Sequence, residues 1–401
     1  LKSTPFDSKA NLVQKLSRFN DPRIVNVLLD LSLETGVSGM YSDLEKRINI
    51  NLNRGMYYEA QKEIKAKEDV LQKEIRTTLK KIAPNTKESL IAALQSQSNE
   101  KRKIASEILD SIGWKASSPD MEMKQWVINS QWEKFDAAGS AAFDFLVTTL
   151  NDSYPDNPGH AAQALAKLHD QRAVAPLMTA LKGKLSGWAS MRIMESLAEL
   201  DAVESIAPIM DKLRQQIEIR DYNQVRYSKE VIEKCLLHFE GRAVAPLAQL
   251  LNGNIELNLF IIEILGKIGD PSAIPALLPQ LDSANMDILK STANSLRSLH
   301  WEPTQDDAGA KYYTYNQEWT RCSEMGEKAV PALLGVFHNK HENLYEGAAN
   351  ALKELYRSGK LSPESTANIL LLNGKEIKTH NDGESLSTCT HTDEAGIYLE
   401  L

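Results

Sequence analysis

Apolar residues recur three and four positions apart through most of the chain. Ile104, Ile108 and Ile112 form one such stripe, Ala161, Ala164, Leu165 and Leu168 a second, and Ile261, Ile262, Leu265 and Ile268 a third. That period predicts helices that bury one face and keep the other in water. Ala105, Ala162 and Gly266 sit inside the stripes, where small residues let neighbouring helices approach closely. Alternating β-branched runs are scarce until the last thirty residues.

The stripes alternate with a second pattern. Arg172-Ala-Val-Ala-Pro-Leu177 returns as Arg242-Ala-Val-Ala-Pro-Leu247, within a looser frame of small residue, Val or Ile, then proline. Ala173, Ser205, Ala243, Ala273 and Ala329 open that frame, with weaker copies at Arg23, Thr86, Ala142 and Ser365. The openings at 173, 205, 243 and 273 are 32, 38 and 30 residues apart, a spacing that fits a unit of two helices. Pro176, Pro208, Pro246, Pro275 and Pro331 suit the first turn of the second helix, where a missing N–H costs nothing. Asp21, Asp170 and Asp270 precede such starts, and their carboxylates are expected to cap free amides rather than to hold a ligand. A unit of this kind has no core without its neighbours.

The run Ile264-Leu-Gly-Lys-Ile-Gly-Asp-Pro-Ser-Ala-Ile-Pro-Ala-Leu-Leu278 resembles the HEAT-like repeat of phycobilin lyases and prokaryotic scaffold proteins. The resemblance spans about residues 86–355 and more weakly 8–35. It implies an all-α fold, a right-handed α-α superhelix, with a short β-like tail added at the C-terminus. It speaks to fold more than to function, since the same repeat serves lyases, hydroxylases, adaptors and chaperone-like partners. Iron-binding hydroxylases of this type place His-Glu pairs at several equivalent positions; this chain has His341-Glu342 and no repeated counterpart.

Two intervals break the short period. Thr86 to Ala142 and Ala273 to Ala329 each span 56 residues and align with each other at an offset of 187. Trp114 then falls on Trp301, Trp132 on Trp319 and Gly139 on Gly326. These inserts, 113–139 and 300–326, are expected to form short helices near 120–131 and 308–320. Trp114, Trp132, Trp301 and Trp319 read first as clasps folding each insert onto its repeat. The competing reading makes them, with Tyr312, Tyr313 and Tyr315, a partner-binding surface, since Trp and Tyr dominate interface hot spots.

Three regions follow from these patterns. Residues 1–85 form a helical cap in which 54–83 is one charged amphipathic helix ending before Pro84, with Ile64, Leu71, Ile75, Leu79 and Ile82 on its apolar face. Residues 86–372 are the repeat array. Residues 373–401 are a hairpin-like tail, with Asn373-Gly374 as a turn between Ile369–Leu372 and Lys375–Lys378. The tail repeats Thr379-His-Asn-Asp382 as Thr390-His-Thr-Asp393. His380 and Asp382 share a strand face, as do Cys389, His391 and Asp393, and these are ligand types that zinc accepts. The spacing matches no standard finger, and a solvated polar hairpin accounts for the same pattern.

Composition narrows the partner. The 401 residues carry a net charge of −8, which argues against a dedicated nucleic-acid binder. No run approaches the roughly 18 apolar residues of a membrane helix, and residues 1–20 contain no apolar signal-peptide core. The chain begins at Leu1, as a fragment would. Cys235, Cys322 and Cys389 are odd in number and far apart, which suits a reducing compartment, so a cytoplasmic location is expected. There is no Walker-type glycine loop and no Gly-x-Ser-x-Gly elbow, and His160, His169, His238, His300 and His338 stand singly as half-buried structural residues. The expected function is a non-enzymatic scaffold that grips another protein or peptide, without a cofactor, on the concave face of its second helices. Met178, Lys182, Lys212, Gln215, Gln249, Asn252, Gln280 and His338 are the candidates there. The alternative is a metal-dependent or lyase-type enzyme, or a metal-binding protein, that uses the tail cluster.

Overall fold

A computed structural model describes residues 6–19, 21–34, 54–219, 222–251, 254–338, 342–373, 379–381 and 384–386. Among the described residues the chain is all-α apart from one short hairpin, and it divides into two compact units, Leu1–Ser196 and Leu197–Leu401. Neither expected regional boundary coincides with that division. Among the described residues no helix is long and apolar enough to cross a membrane.

In the first unit the helix Arg54–Ala93 is the centre of packing. Phe6–Leu16, Pro22–Glu34 and Asn99–Ser111 lie against it. Its Leu71, Ile75, Leu79 and Ile82 are buried among Val25, Leu28, Ile104 and Ile108, so the chain's own helices cover its apolar stripe. Each such side chain contributes about 1.5–3 kcal/mol of apolar burial. The helix does not stop before Pro84. It bends, with Thr86 off helical geometry at φ −124° and ψ 19°. The Thr86 hydroxyl donates to the Ile82 carbonyl at 3.0 Å, which offsets backbone bonding lost at the proline bend.

The helical hairpins share a local grammar. The first helix ends on a residue in the left-handed region: Gly113, His169, Asp201, Glu240, Gly269 and His300, with φ between 50° and 74°. In several units an Asp then caps a 3-10 turn that leads into the second helix. Asp170 accepts from the Arg172 N–H and Asp270 from the Ser272 N–H, each at 2.9 Å. Asp21 does the same for Arg23 at 2.9 Å and grips its guanidinium, whose hydrogen bonds hold that exposed carboxyl down at about 2. The expected caps are caps. Of the five single histidines only His160 is half-buried; His169, His238, His300 and His338 are exposed, against what their positions in sequence suggested. His169 and His300 occupy the left-handed turn itself, at the surface.

In the second unit, helices Ile255–Ile268 and Met286–Ser298 pack most extensively. A Cβ on Gly266 would overlap Ser295, whose hydroxyl donates to the Ile262 carbonyl at 2.9 Å. Glycine is therefore what permits that approach. Lys267–Glu233 at 2.6 Å and Lys229–Glu256 at 2.8 Å link neighbouring first helices at their solvent edge.

The tail departs from expectation. Ile369–Leu372 belongs to the helix Pro363–Asn373, and the hairpin lies further on. Thr379–Asn381 pairs antiparallel with Glu384–Leu386, with His380 opposite Ser385. The apolar run Ile369–Leu372 prefers the helix because Ile369 packs fully buried there.

Candidate functional site

The two inserts are duplicates in three dimensions as well as in sequence. Helix Asn99–Ser111 matches Met286–Ser298, and the 3-10 turn Gly139–Ala142 matches Gly326–Ala329, at the same offset of 187 positions. Side-chain caps Ser98 and Asn285 open the matched helices. Three left-handed positions also coincide: Gly113 with His300, Ser130 with Gln317, and Gly139 with Gly326. So do the hydrogen bonds. Trp114 N–H donates to the Leu109 carbonyl and Trp301 N–H to that of Leu296, both at 3.0 Å. Gln131 N–H donates to Trp126 and Glu318 N–H to Tyr313, both at 2.8 Å.

The first insert helix runs Pro119–Ile128, with Ser118 as its cap, and ends short of the expected 131 because Ser130 is left-handed. The second is not one helix over 308–320. Asp307–Tyr315 and Trp319–Met325 are separated by Gln317, whose left-handed backbone cannot continue a helix.

Trp114 is half-buried, with part of its ring on the core of the first unit. It also lines an open cleft of about 480 Å³ together with Asp110, Gln125 and Trp126. At the cleft, Gln125 Nε2 and Asn129 Nδ2 donate to the two oxygens of Asp110, at 3.0 and 3.4 Å. Lys115, Glu122 and Lys134 complete the charged lining, and the Lys134 ammonium stands 5.7 Å from the Trp126 ring centre. Trp126 meets Phe135 edge-on at 5.3 Å.

Trp132, also half-buried, stacks on His160 at 5.0 Å and 20°. Trp188 also meets His160, tilted by 55° at 4.8 Å, and the Arg192 guanidinium lies 5.4 Å from the Trp188 ring. Burial, aided by the nearby Arg192 charge and opposed by Asp156, lowers the His160 pKa. This imidazole is in contact with two indoles, one stacked and one tilted.

In the second unit Trp301 meets Tyr312 edge-on at 5.4 Å, and Tyr312 meets Tyr313 at 5.5 Å. Tyr312 and Tyr315 are only 5 % and 7 % exposed, so their rings pack the insert. Burial raises both phenols, Tyr315 to about 12. Tyr313 is half-buried. Half-buried Trp319 lies across Gly347, where a Cβ would overlap its indole. Burial also lifts the thiol of Cys322, beside Thr314, to about 11, so it is no ready nucleophile.

The repeat family can now be set beside this geometry. The description "PBS lyase HEAT-like repeat" matches residues 159–183 and 260–283, each a first helix, left-handed turn and second helix. The chain carries HEAT-like repeats. No curated protein matches it significantly. An engineered protein of known crystal structure aligns over 90 % of this chain and 97 % of its own, at 17 % identity and a TM-score of 0.28, too low to bear on the fold. On the second helices of the hairpins, Lys182, Gln215, Gln249 and His338 are exposed, while Met178, Lys212 and Gln280 are half-buried. Asn252 lies outside the described residues.

Of the tail candidates, His380 is in the first strand, and Asp382, Cys389, His391 and Asp393 lie outside the described residues. Among the described residues no three His, Cys, Asp or Glu side chains are arranged to hold a metal ion. Sequence reasoning passed over Asp110, Gln125 and Trp188. The signal for the first two was present: the 187 offset sets Asp110 against Arg297 and Gln125 against Tyr312.

Proposed function

We propose that this protein is a non-enzymatic interaction scaffold, binding another protein or peptide along the exposed side of its second helices and at the cleft of the first insert. What carries the reading is the pair Trp114 and Trp126, two half-buried indoles lining an open cleft on packed helices. Trp on a rigid support gives large contact area at little conformational cost, which is how hot spots are built. The HEAT-like repeats supply that support, because each hairpin is fixed by its neighbours.

The test is a photo-crosslinking amino acid placed at Lys115, on the cleft lining, in cells of the native host. One dominant cross-linked protein is expected, lost when Trp126→Ala is added and absent when the probe sits at Lys80. Equal cross-linking from Lys115 and Lys80, or persistence in Trp126→Ala, would count against the reading.

A further inference from the structure

The duplicated inserts differ at the walls of the cleft, and the difference suggests an occupant. In the second unit the residue equivalent to Gln125 is Tyr312, and its ring lies against Trp301, the equivalent of Trp114. A flat group belonging to the chain itself therefore occupies that place beside the indole. The residue equivalent to Asp110 is Arg297, which approaches Glu318 at 3.6 Å and donates to the Asn316 carbonyl at 3.4 Å. The second copy thus supplies both a planar ring and a cation from its own sequence. The first copy supplies neither. Gln125 carries no ring, and the side-chain donors to Asp110 are two amides, those of Gln125 and Asn129.

We propose that the first cleft binds an arginine side chain presented by a partner polypeptide, its guanidinium against Trp114 and paired with Asp110. The duplicate identifies the shape as flat, and Asp110 sets the charge as positive; guanidinium is both at neutral pH, where an ordinary imidazole has lost its proton. Guanidinium stacks on indole and forms two parallel hydrogen bonds to a carboxylate, which an ammonium cannot do. Gln125 and Asn129 hold Asp110 from one side, which fixes the carboxylate for such a pair. Of the other charges of the lining, Lys134 already stands over Trp126, and Lys115 and Glu122 offset each other. Trp114 is then the indole left for the ligand. This rests on the scaffold reading above and makes its site specific.

The full chain, with its indole N–H signals assigned by single Trp→Phe variants, is titrated with acetyl-Gly-Arg-Gly-amide and with the same peptide carrying citrulline. Citrulline keeps the flat shape and removes the charge. Saturable shifts of the Trp114 signal are expected with the arginine peptide, and about tenfold weaker binding with citrulline, as for loss of a charge-assisted pair. Asp110→Asn should reproduce the citrulline loss. Gln125→Tyr, which installs the ring the second copy already has, should abolish binding while the helical circular dichroism is unchanged. Arg297→Asp together with Tyr312→Gln should open a second site with its shift at Trp301. No saturable shift with the arginine peptide, equal binding of citrulline, or full binding by Gln125→Tyr would each overturn the proposal. The scaffold reading would survive any of these if cross-linking from Lys115 still identified one partner.

Discussion

Trp132 stacks face to face on His160, while its duplicate Trp319 lies over Gly347, the residue at the position matching His160. The same clasp is thus closed in two ways, by a ring beneath the indole in one unit and by bare backbone in the other. Gly347→Ala puts a methyl group into the Trp319 ring. A stacked indole cannot swing aside freely, so the second unit should lose about 1–3 kcal/mol, the usual cost of overpacking. Urea unfolding should show it as a lower midpoint. An unchanged midpoint would mean that Trp319 is not held against that helix.

The imidazole beneath Trp132 carries a pH dependence. Burial lowers its pKa, Arg192 adds to that, and Asp156 opposes it. The folded chain therefore binds this proton less readily than the unfolded chain, whose value is about 6.5. The stability contributed by neutral His160 is fully present above that value and is lost as pH falls through the lower folded pKa. Melting temperatures compared at about pH 7 and pH 5 should fall more for the parent than for His160→Gln. Equal falls would show that His160 titrates as an ordinary surface histidine.

Much of this was legible in the sequence because helix period, proline placement and capping are local. Pro176 and Asp170 act where the frame put them. The misread places were decided by contacts the local pattern does not contain. Ile369 is buried at the end of the second unit, which holds Pro363–Asn373 as a helix against the turn signal Asn373-Gly374. Pro84 was read as a stop, yet neighbouring helices on both sides of the bend keep the helix running. The spacing of the tryptophans is legible in sequence, but that Trp114 is half-buried and lines a cleft with Asp110 and Gln125 is set by helix packing.

Truncating the two equivalent indoles should cost similar amounts. Trp114 and Trp301 are both half-buried, so Trp→Ala should lower stability by about 2–3 kcal/mol, below the 3–5 kcal/mol typical of buried aromatics. Calorimetry of both variants measures this. No change in either melting temperature would remove the clasp role and leave only a binding role.

Arg102 and Asp152 form a two-pronged pair at 2.9 and 3.0 Å, with side chains 5 % and 16 % exposed. Burial pushes the Asp152 carboxyl up, but bonds from Arg102, the Tyr154 N–H and Asn157 outweigh it, and the net shift is downward. Its contribution is therefore present above the ordinary carboxylate range and lost as pH falls through the depressed folded value. Asp152→Ala should cost about 3–5 kcal/mol by stranding the guanidinium. Arg102→Met combined with Asp152→Ala should recover most of that, since no charge is then left buried. A double variant no better than the single would assign the loss to Tyr154 and Asn157 instead.

The left-handed turn after the first helix gives the most discriminating comparison, because the duplication supplies its own control. Gly113 and His300 occupy the same turn, with φ of 69° and 53°. A residue with a Cβ is strained in this region, by about 1 kcal/mol relative to glycine. His300 is exposed, so replacing it gives up little packing. His300→Gly should therefore raise stability by about 0.5–1 kcal/mol despite the looser unfolded chain. Gly113→Ala should lower it by a similar amount, and through the backbone alone, since no atom lies within 4 Å of the added Cβ. The two urea midpoints should move in opposite directions. If His300→Gly is instead destabilising, the imidazole is making a contact that outweighs its strain. The turn residue in the second unit would then have to be counted among the groups that hold Trp301 in place.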